Sequence, residues 1–183
     1  VKKTLVIHPK DESTDFLSVI YKDIPNCKVM TGGKLKEVNE HIYTHDRIIM
    51  LGHGSSNGLM SVNKFNNNGY SLGYVINRDT VPLLREKECI FIWCNANVFV
   101  EHNKLNGFYT GMFISEVNES IYCRCDSSQD DVDKSNEFFS SLLSECINND
   151  LNFIFEYVKQ FYGKICSTNK VAFYNHQRLY LQN

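Results

Sequence analysis

Apolar residues in this chain gather into short unbroken runs, and between those runs they recur at helical spacing, so two kinds of segment alternate. Thr4 to Ile7 is the first run. It lacks the every-other-residue polarity of a half-exposed strand and predicts a strand buried on both faces. Asp11 or Ser13 is placed to cap the segment that follows, where Phe16, Leu17, Ile20 and Tyr21 recur at helical intervals up to Ile24-Pro25. Cys27 to Thr31 predicts a second strand, and Gly32-Gly33 turns the chain into a helix starting near Lys34, with Leu35, Val38 and Ile42 on one stripe.

Arg47-Ile48-Ile49-Met50-Leu51 is the clearest strand and ends at Gly52-His53-Gly54. After the polar Ser55-Ser56-Asn57-Gly58, the segments Leu59 to Val62 and Tyr70 to Ile76 flank an Asn-rich turn and predict a small hairpin or an ordered excursion. Asp79 to Lys87 suits a short helix, and Cys89 to Trp93 resumes the buried-strand pattern just before Cys94-Asn95-Ala96-Asn97. Further on, Ser120 to Cys125 predicts a strand, Ser135 to Ile147 and Leu151 to Phe161 predict helices, and Val171 to Tyr174 predicts a last short strand before a terminal piece at Arg178 to Leu181. This rhythm predicts a three-layer α/β domain over residues 1–183, its mostly parallel sheet covered by helices.

With 183 residues, 43% hydrophobic and 13% aromatic, the chain is long and apolar enough for one domain with a substantial core. A formal net charge of −2 leaves no basic footprint, so neither a nucleic acid nor a membrane surface is expected as a partner. Seven Cys at irregular spacing, with no Cys-x-x-Cys, fit a reducing compartment better than a disulfide framework or a metal centre. The apolar cluster near the start is far too short for a signal-peptide core or a membrane span, and the expected location is cytoplasmic. The Walker and dinucleotide glycine patterns are absent, so no nucleotide cofactor is implied, and the spacing of His41 and His45 lacks the Glu of a zinc-peptidase helix. His41 and His45 are expected at the surface, and Cys123 and Cys125 on one side of their strand.

Ligands of such sheets gather beyond the carboxyl ends of the strands. Two residues suited to covalent chemistry stand there, His53 after one strong strand and Cys94 after the next. The stretch between them is long enough for a crossover that brings the second strand beside the first. A thiol has an ordinary pKa of about 8.5 and an imidazole of about 6.5, so a neighbouring imidazole can take the thiol proton near neutral pH. Cys94 is the candidate nucleophile and His53 the candidate general base and acid. The backbone N–H groups of Gly54 and Cys94 are candidate oxyanion donors.

A hydrophobic strand followed by His53-Gly54, then a hydrophobic strand followed by Cys94, resembles the caspase-like (clan CD) cysteine peptidases, among them metacaspases, clostripain, gingipains, separase and the CHAT-type proteases. The resemblance spans roughly Lys3 to Cys125. It implies a caspase-like fold, a Cys94–His53 dyad that hydrolyses peptide bonds through an acyl-enzyme, no cofactor and no metal. It also implies a peptide or protein substrate, with a regulatory protein or a small signalling ligand as further candidate partners. Bulky Trp93 precedes the thiol, and Asn95-Ala96-Asn97 follows it where several relatives carry a Gly-containing turn. In the family a charged residue in the pocket for the residue before the cleaved bond selects acidic or basic sites. Asp126 either lines such a pocket and favours Lys or Arg, or caps Ser127-Ser128 and faces solvent. His8, Ser55 and Asn95 are further candidates for substrate contact, and Tyr70 and Tyr74 for a wall beside His53. The competing expectation is a noncatalytic domain of the same fold that binds a peptide, a signalling ligand or a protein.

Overall fold

The computed structural model describes residues 2–183. Strand β1 (Thr4–Ile7) leads into a long 3-10 helix (Glu12–Tyr21) capped by Asp11, whose carboxylate accepts from the Thr14 N–H. Strands β2 (Lys28–Met30) and β3 (Gly33–Lys34) precede helix α1 (Leu35–Thr44), which buries Val38 and Ile42. Strand β4 (Arg47–Leu51) follows, buried throughout. The predicted excursion resolves into short strands: β5 (Gly54–Ser55), β6 (Gly58–Met60), β7 (Phe65–Asn67), β8 (Tyr70–Ser71) and β9 (Tyr74–Ile76). A 3-10 turn and the four-residue helix α2 (Val81–Leu84) then deliver the chain to β10 (Glu88–Ile92). Helix α3 (Ala96–Asn103), strand β11 (Gly107–Thr110) and helices α4 (Val117–Tyr122), α5 (Gln129–Cys146), α6 (Leu151–Tyr162) and α7 (Lys170–His176) complete the body, and β12 (Leu179–Gln182) ends it.

The main sheet has the order β12-β11-β10-β4-β1-β2, parallel except for β12, which runs antiparallel to β11. Two three-stranded sheets, β3-β7-β8 and β5-β6-β9, are attached at the side. Alternation along the strands sends Leu5, Ile48, Met50 and Phe91 to one face, against α1, α2 and α3. It sends Val6, Ile49, Leu51, Ile90 and Ile92 to the other, against Leu17 and Ile20 of the 3-10 helix and Phe139, Leu143, Ile154 and Val158 of α5 and α6. Each such aliphatic or aromatic side chain contributes about 1.5–3 kcal/mol when taken fully from water. Two buried faces explain why these strands read as unbroken apolar runs.

Buried Arg47, at the start of β4, pairs with Glu88 of β10 and donates to the carbonyls of Ile147 and Asn149 just past α5. Those carbonyls carry the negative end of the helix dipole, so the guanidinium fastens α5 to the sheet. Among the described residues, no helix is long and apolar enough to cross a membrane.

Two predicted strands are helices. Ser120 to Cys125 was expected to extend, but Glu119 bonds back to the Ser115 and Glu116 amides and Val117–Tyr122 winds into α4. Cys123 and Cys125 therefore follow a helix and do not alternate along a strand. Val171 to Tyr174 lies in α7, because Asn169 accepts from the Ala172 N–H at 2.8 Å and caps it. His45, expected at the surface, is 5% exposed, with Nδ1 2.6 Å from the His41 carbonyl oxygen.

Candidate functional site

β4 and β10 are hydrogen-bonded neighbours in register, Leu51 opposite Ile92. His53 and Cys94 each stand two residues beyond that matched pair, so the pleat turns both toward the same face of the sheet. Between strand and histidine, Gly52 has φ +135 and donates its N–H to the Ile92 carbonyl at 3.1 Å, holding the His53 loop against the end of β10.

The loop after β1 holds the imidazole. His53 Nε2 lies 2.8 Å from Ser13 Oγ and 3.1 Å from Asp11 Oδ2, while the Ser13 hydroxyl donates to Asp11 Oδ1 at 2.9 Å. With the serine proton spent on Asp11, this network assigns the histidine proton to Nε2 and leaves the lone pair on Nδ1. Burial of Asp11 pushes its carboxyl upward, but the Ser13 hydroxyl, the charge of His53 and the Thr14 donors outweigh it and leave the carboxyl below its usual range. The two residues expected only to cap a helix also orient the histidine.

Cys94 is held differently. Its Sγ–H donates to the Phe113 carbonyl at 3.3 Å and lies 3.7 Å from Glu119 Oε1. Burial, and after it the Glu119 carboxylate, push the thiol up to about 12, so at neutral pH it is protonated. Glu119 is itself fixed, its Oε2 accepting from the Ser115 N–H at 2.7 Å, the Ser115 hydroxyl at 3.0 Å and the Glu116 N–H at 3.2 Å. The Phe113 loop is clasped by fully buried Asn175 of α7, whose side-chain amide accepts from Ile114 N at 2.7 Å and donates to Ile114 O at 2.9 Å. Thr110 Oγ1 donates to the Trp93 carbonyl at 2.9 Å and Asn95 N to the Gly111 carbonyl at 3.1 Å, tying the thiol loop to the end of β11.

His53 and Cys94 wall one small cavity with Thr14, Phe16, Leu17, Gly52, Trp93, Phe113 and Ser115. Its free space is about 20 Å³, room for about one water. Among the described residues no hydrogen bond joins the imidazole to the thiol, each being engaged with its own loop.

Two backbone donors border this cavity. Met60 N donates to the His53 carbonyl at 2.8 Å, which places Gly54 in the non-hydrogen-bonded position opposite Leu59, so its N–H points away from β6. The Cys94 N–H has no protein acceptor among the described residues. A Cβ on Gly54 would meet the Trp93 ring at 2.2 Å and the Gly58 carbonyl oxygen at 2.7 Å, so only glycine fits under that indole. Asn95 has φ +66, the left-handed conformation needed for the chain to leave β10 and enter α3 directly after the thiol. An asparagine adopts it at little cost, which accounts for its standing where relatives carry glycine.

The remaining candidates lie elsewhere. The Ser55 hydroxyl pairs with the Tyr74 hydroxyl at 3.0 Å and its carbonyl accepts from Trp93 Nε1 at 3.1 Å, so this residue braces the indole. Tyr70 is 80% exposed and walls nothing. His8 is fully buried, its Nδ1 3.1 Å from the Tyr21 hydroxyl and its Nε2 unpartnered, and burial lowers it to about 4. Asp126 lines a separate cleft with Ser127, Ser128, Asp131, Thr168 and Lys170, and does not reach the cavity of Cys94 and His53. All seven cysteines are free thiols, and no group of His, Cys, Asp or Glu among the described residues is arranged to hold a metal.

Asp11, Ser13, Phe113, Glu119 and Asn175 were not expected at the site. For Asp11 and Ser13 the signal was their position just beyond a buried strand that ends on the same edge as β4. For the others no local pattern announces contacts made across the sheet. No protein-family model and no curated protein matches this chain.

Proposed function

We propose that the protein is a caspase-like cysteine peptidase in a closed, resting conformation, with Cys94 as nucleophile and His53 as general base and acid. One observation carries this reading: His53 and Cys94 stand at matched positions beyond two adjacent parallel strands and wall the same cavity. Supporting it, the Asp11–Ser13 network on Nε2 leaves Nδ1 as the free basic nitrogen.

In the proposed reaction the thiol turns away from Phe113 and Glu119 and gives its proton to His53 Nδ1, and sulfur attacks the peptide carbonyl carbon. The Gly54 and Cys94 N–H groups receive the oxyanion. His53 passes the proton to the leaving amine as the C–N bond breaks, giving a thioester. Water attacks the thioester, losing a proton to His53, and the returned proton restores the thiol.

A second reading has its own observation. A protonated thiol beside a cavity of about 20 Å³ also suits a noncatalytic binding domain. The two separate when wild type, Cys94→Ala and His53→Ala are treated with peptides bearing acyloxymethyl ketones and adducts are located by mass spectrometry. The peptidase reading expects an adduct on Cys94, absent in Cys94→Ala and formed about 100-fold or more slowly in His53→Ala. No adduct on Cys94, or a rate indifferent to His53, overturns it.

A further inference from the structure

Beside the thiol cavity lies a larger cleft of about 460 Å³, within the range of about 300–1,000 Å³ of small-molecule sites. The two are joined: Phe16 and Ser115 line both, and Ser13, on the cleft wall, is bonded to His53. Three elements bring one carboxylate each: Glu12 from the 3-10 helix, Glu116 from the start of α4 and Asp133 from α5. No Lys or Arg lines the cleft, and none of the three carboxylates is in an ion pair among the described residues.

Independent of charge, Asn136 lines the same cleft at 6% exposure. Its amide nitrogen donates to the Ser115 carbonyl at 2.9 Å, and its Oδ1 has no partner. A buried acceptor left unpaired is costly, and a ligand that brings an N–H removes the cost. The donors that would draw an anion here are already spent: Glu119 takes the first amides of α4, and Ser128 accepts from the Asp131 N–H of α5. The three acids are not arranged to chelate a metal.

We infer that this cleft receives the cationic side chain of a Lys- or Arg-bearing peptide, with Glu12, Glu116 and Asp133 supplying the charge and Asn136 Oδ1 accepting one N–H. The inference rests on the peptidase reading for its consequence, which is that the bond presented to Cys94 is the one next to a basic residue. Asp126, in its separate cleft, takes no part.

The test uses binding, so that it stands apart from catalysis. Cys94→Ala protein is titrated with a fluorescent capped peptide ending in Arg-amide and with its Gln and Asp counterparts. The Arg peptide is expected to bind about tenfold or more tightly than the Gln peptide, with the Asp peptide weakest and the preference shrinking as salt rises. In Glu116→Gln/Asp133→Asn, whose exposed positions spare the fold, the preference collapses to within about twofold while the melting temperature holds. Equal binding of the three peptides, or a preference that survives in the double variant, overturns the inference. A preference for Arg without any adduct on Cys94 leaves the cleft standing and removes the peptidase. Labelling of Cys94 at equal rates by Arg, Gln and Asp probes leaves the peptidase and removes the cleft.

Discussion

Replacing Glu119 by Gln keeps the shape of the group beside the thiol and removes its charge. The carboxylate stands 3.7 Å from Cys94 Sγ, where a unit charge in a surface-proximal environment is worth about 4 kcal/mol as an upper limit. Three donors share that charge, so about one to two pH units of the thiol's rise from 9.0 to about 12 should disappear, while the larger contribution of burial stays. At pH 8 the thiolate population then grows about 10- to 100-fold. The lower basicity of the new thiolate gives back part of the gain, and the net increase in alkylation rate is about three- to fifteenfold. The assay is iodoacetamide labelling from pH 6 to 11, with the Cys94 peptide quantified by mass spectrometry so that the other thiols do not interfere. The amide still accepts at the start of α4, and the loss of charge there costs about 0.3–1 kcal/mol, seen as a small drop in melting temperature. The sign in stability follows from the raised thiol: its contribution is full below the unfolded value of 9.0 and fades as pH climbs through about 12, so the variant should begin to lose it at lower pH. A Cys94 rate unchanged within twofold in a folded Glu119→Gln protein would refute the assigned role of the carboxylate.

Two further outcomes are expected. His8 is buried neutral and lowered from 6.5 to about 4, so its contribution is present above 6.5 and lost as pH falls through about 4, a loss of about 3 kcal/mol; His8→Phe should flatten that part of the melting-temperature profile, and an equally steep acid limb in the variant would contradict this. Gly54→Ala forces its Cβ into the ring of Trp93, the chain's one tryptophan, so it should cost at least about 1–3 kcal/mol and move the emission to longer wavelength, and unaltered fluorescence with full stability would show that the indole has room to shift.

The strands that carry the candidate pair were legible because both their faces are buried, which leaves an unbroken apolar run with a polar, glycine-bearing end. That made the positions of His53 and Cys94 readable, though not what each side chain touches. The segment Ser120 to Cys125 was misread because Ile121, Tyr122 and Cys123 favour a strand by composition. The bonds from Glu119 to the amides of Ser115 and Glu116 decide for a helix, and they need a carboxylate of the right length more than any periodicity. Strand β11 went unseen because Gly107–Thr110 is too brief to stand out, yet Phe108 and Thr110 are fully buried against neighbours distant in sequence. Asp126 was singled out by its place after that supposed strand and lost its role with it. The acids that do border the site come from three separate segments, a juxtaposition visible only after folding.

The clasp between Asn175 and Ile114 has a consequence in time. Strands β4 and β10 are complete once residue 92 has been made, and nothing in their pairing waits for the rest. The carbonyl that receives the thiol proton is fixed only through a residue 61 positions after Ile114. On the ribosome the candidate pair is thus assembled well before the restraint that quiets it, and the last-made helix works as a safety catch set at the end of synthesis.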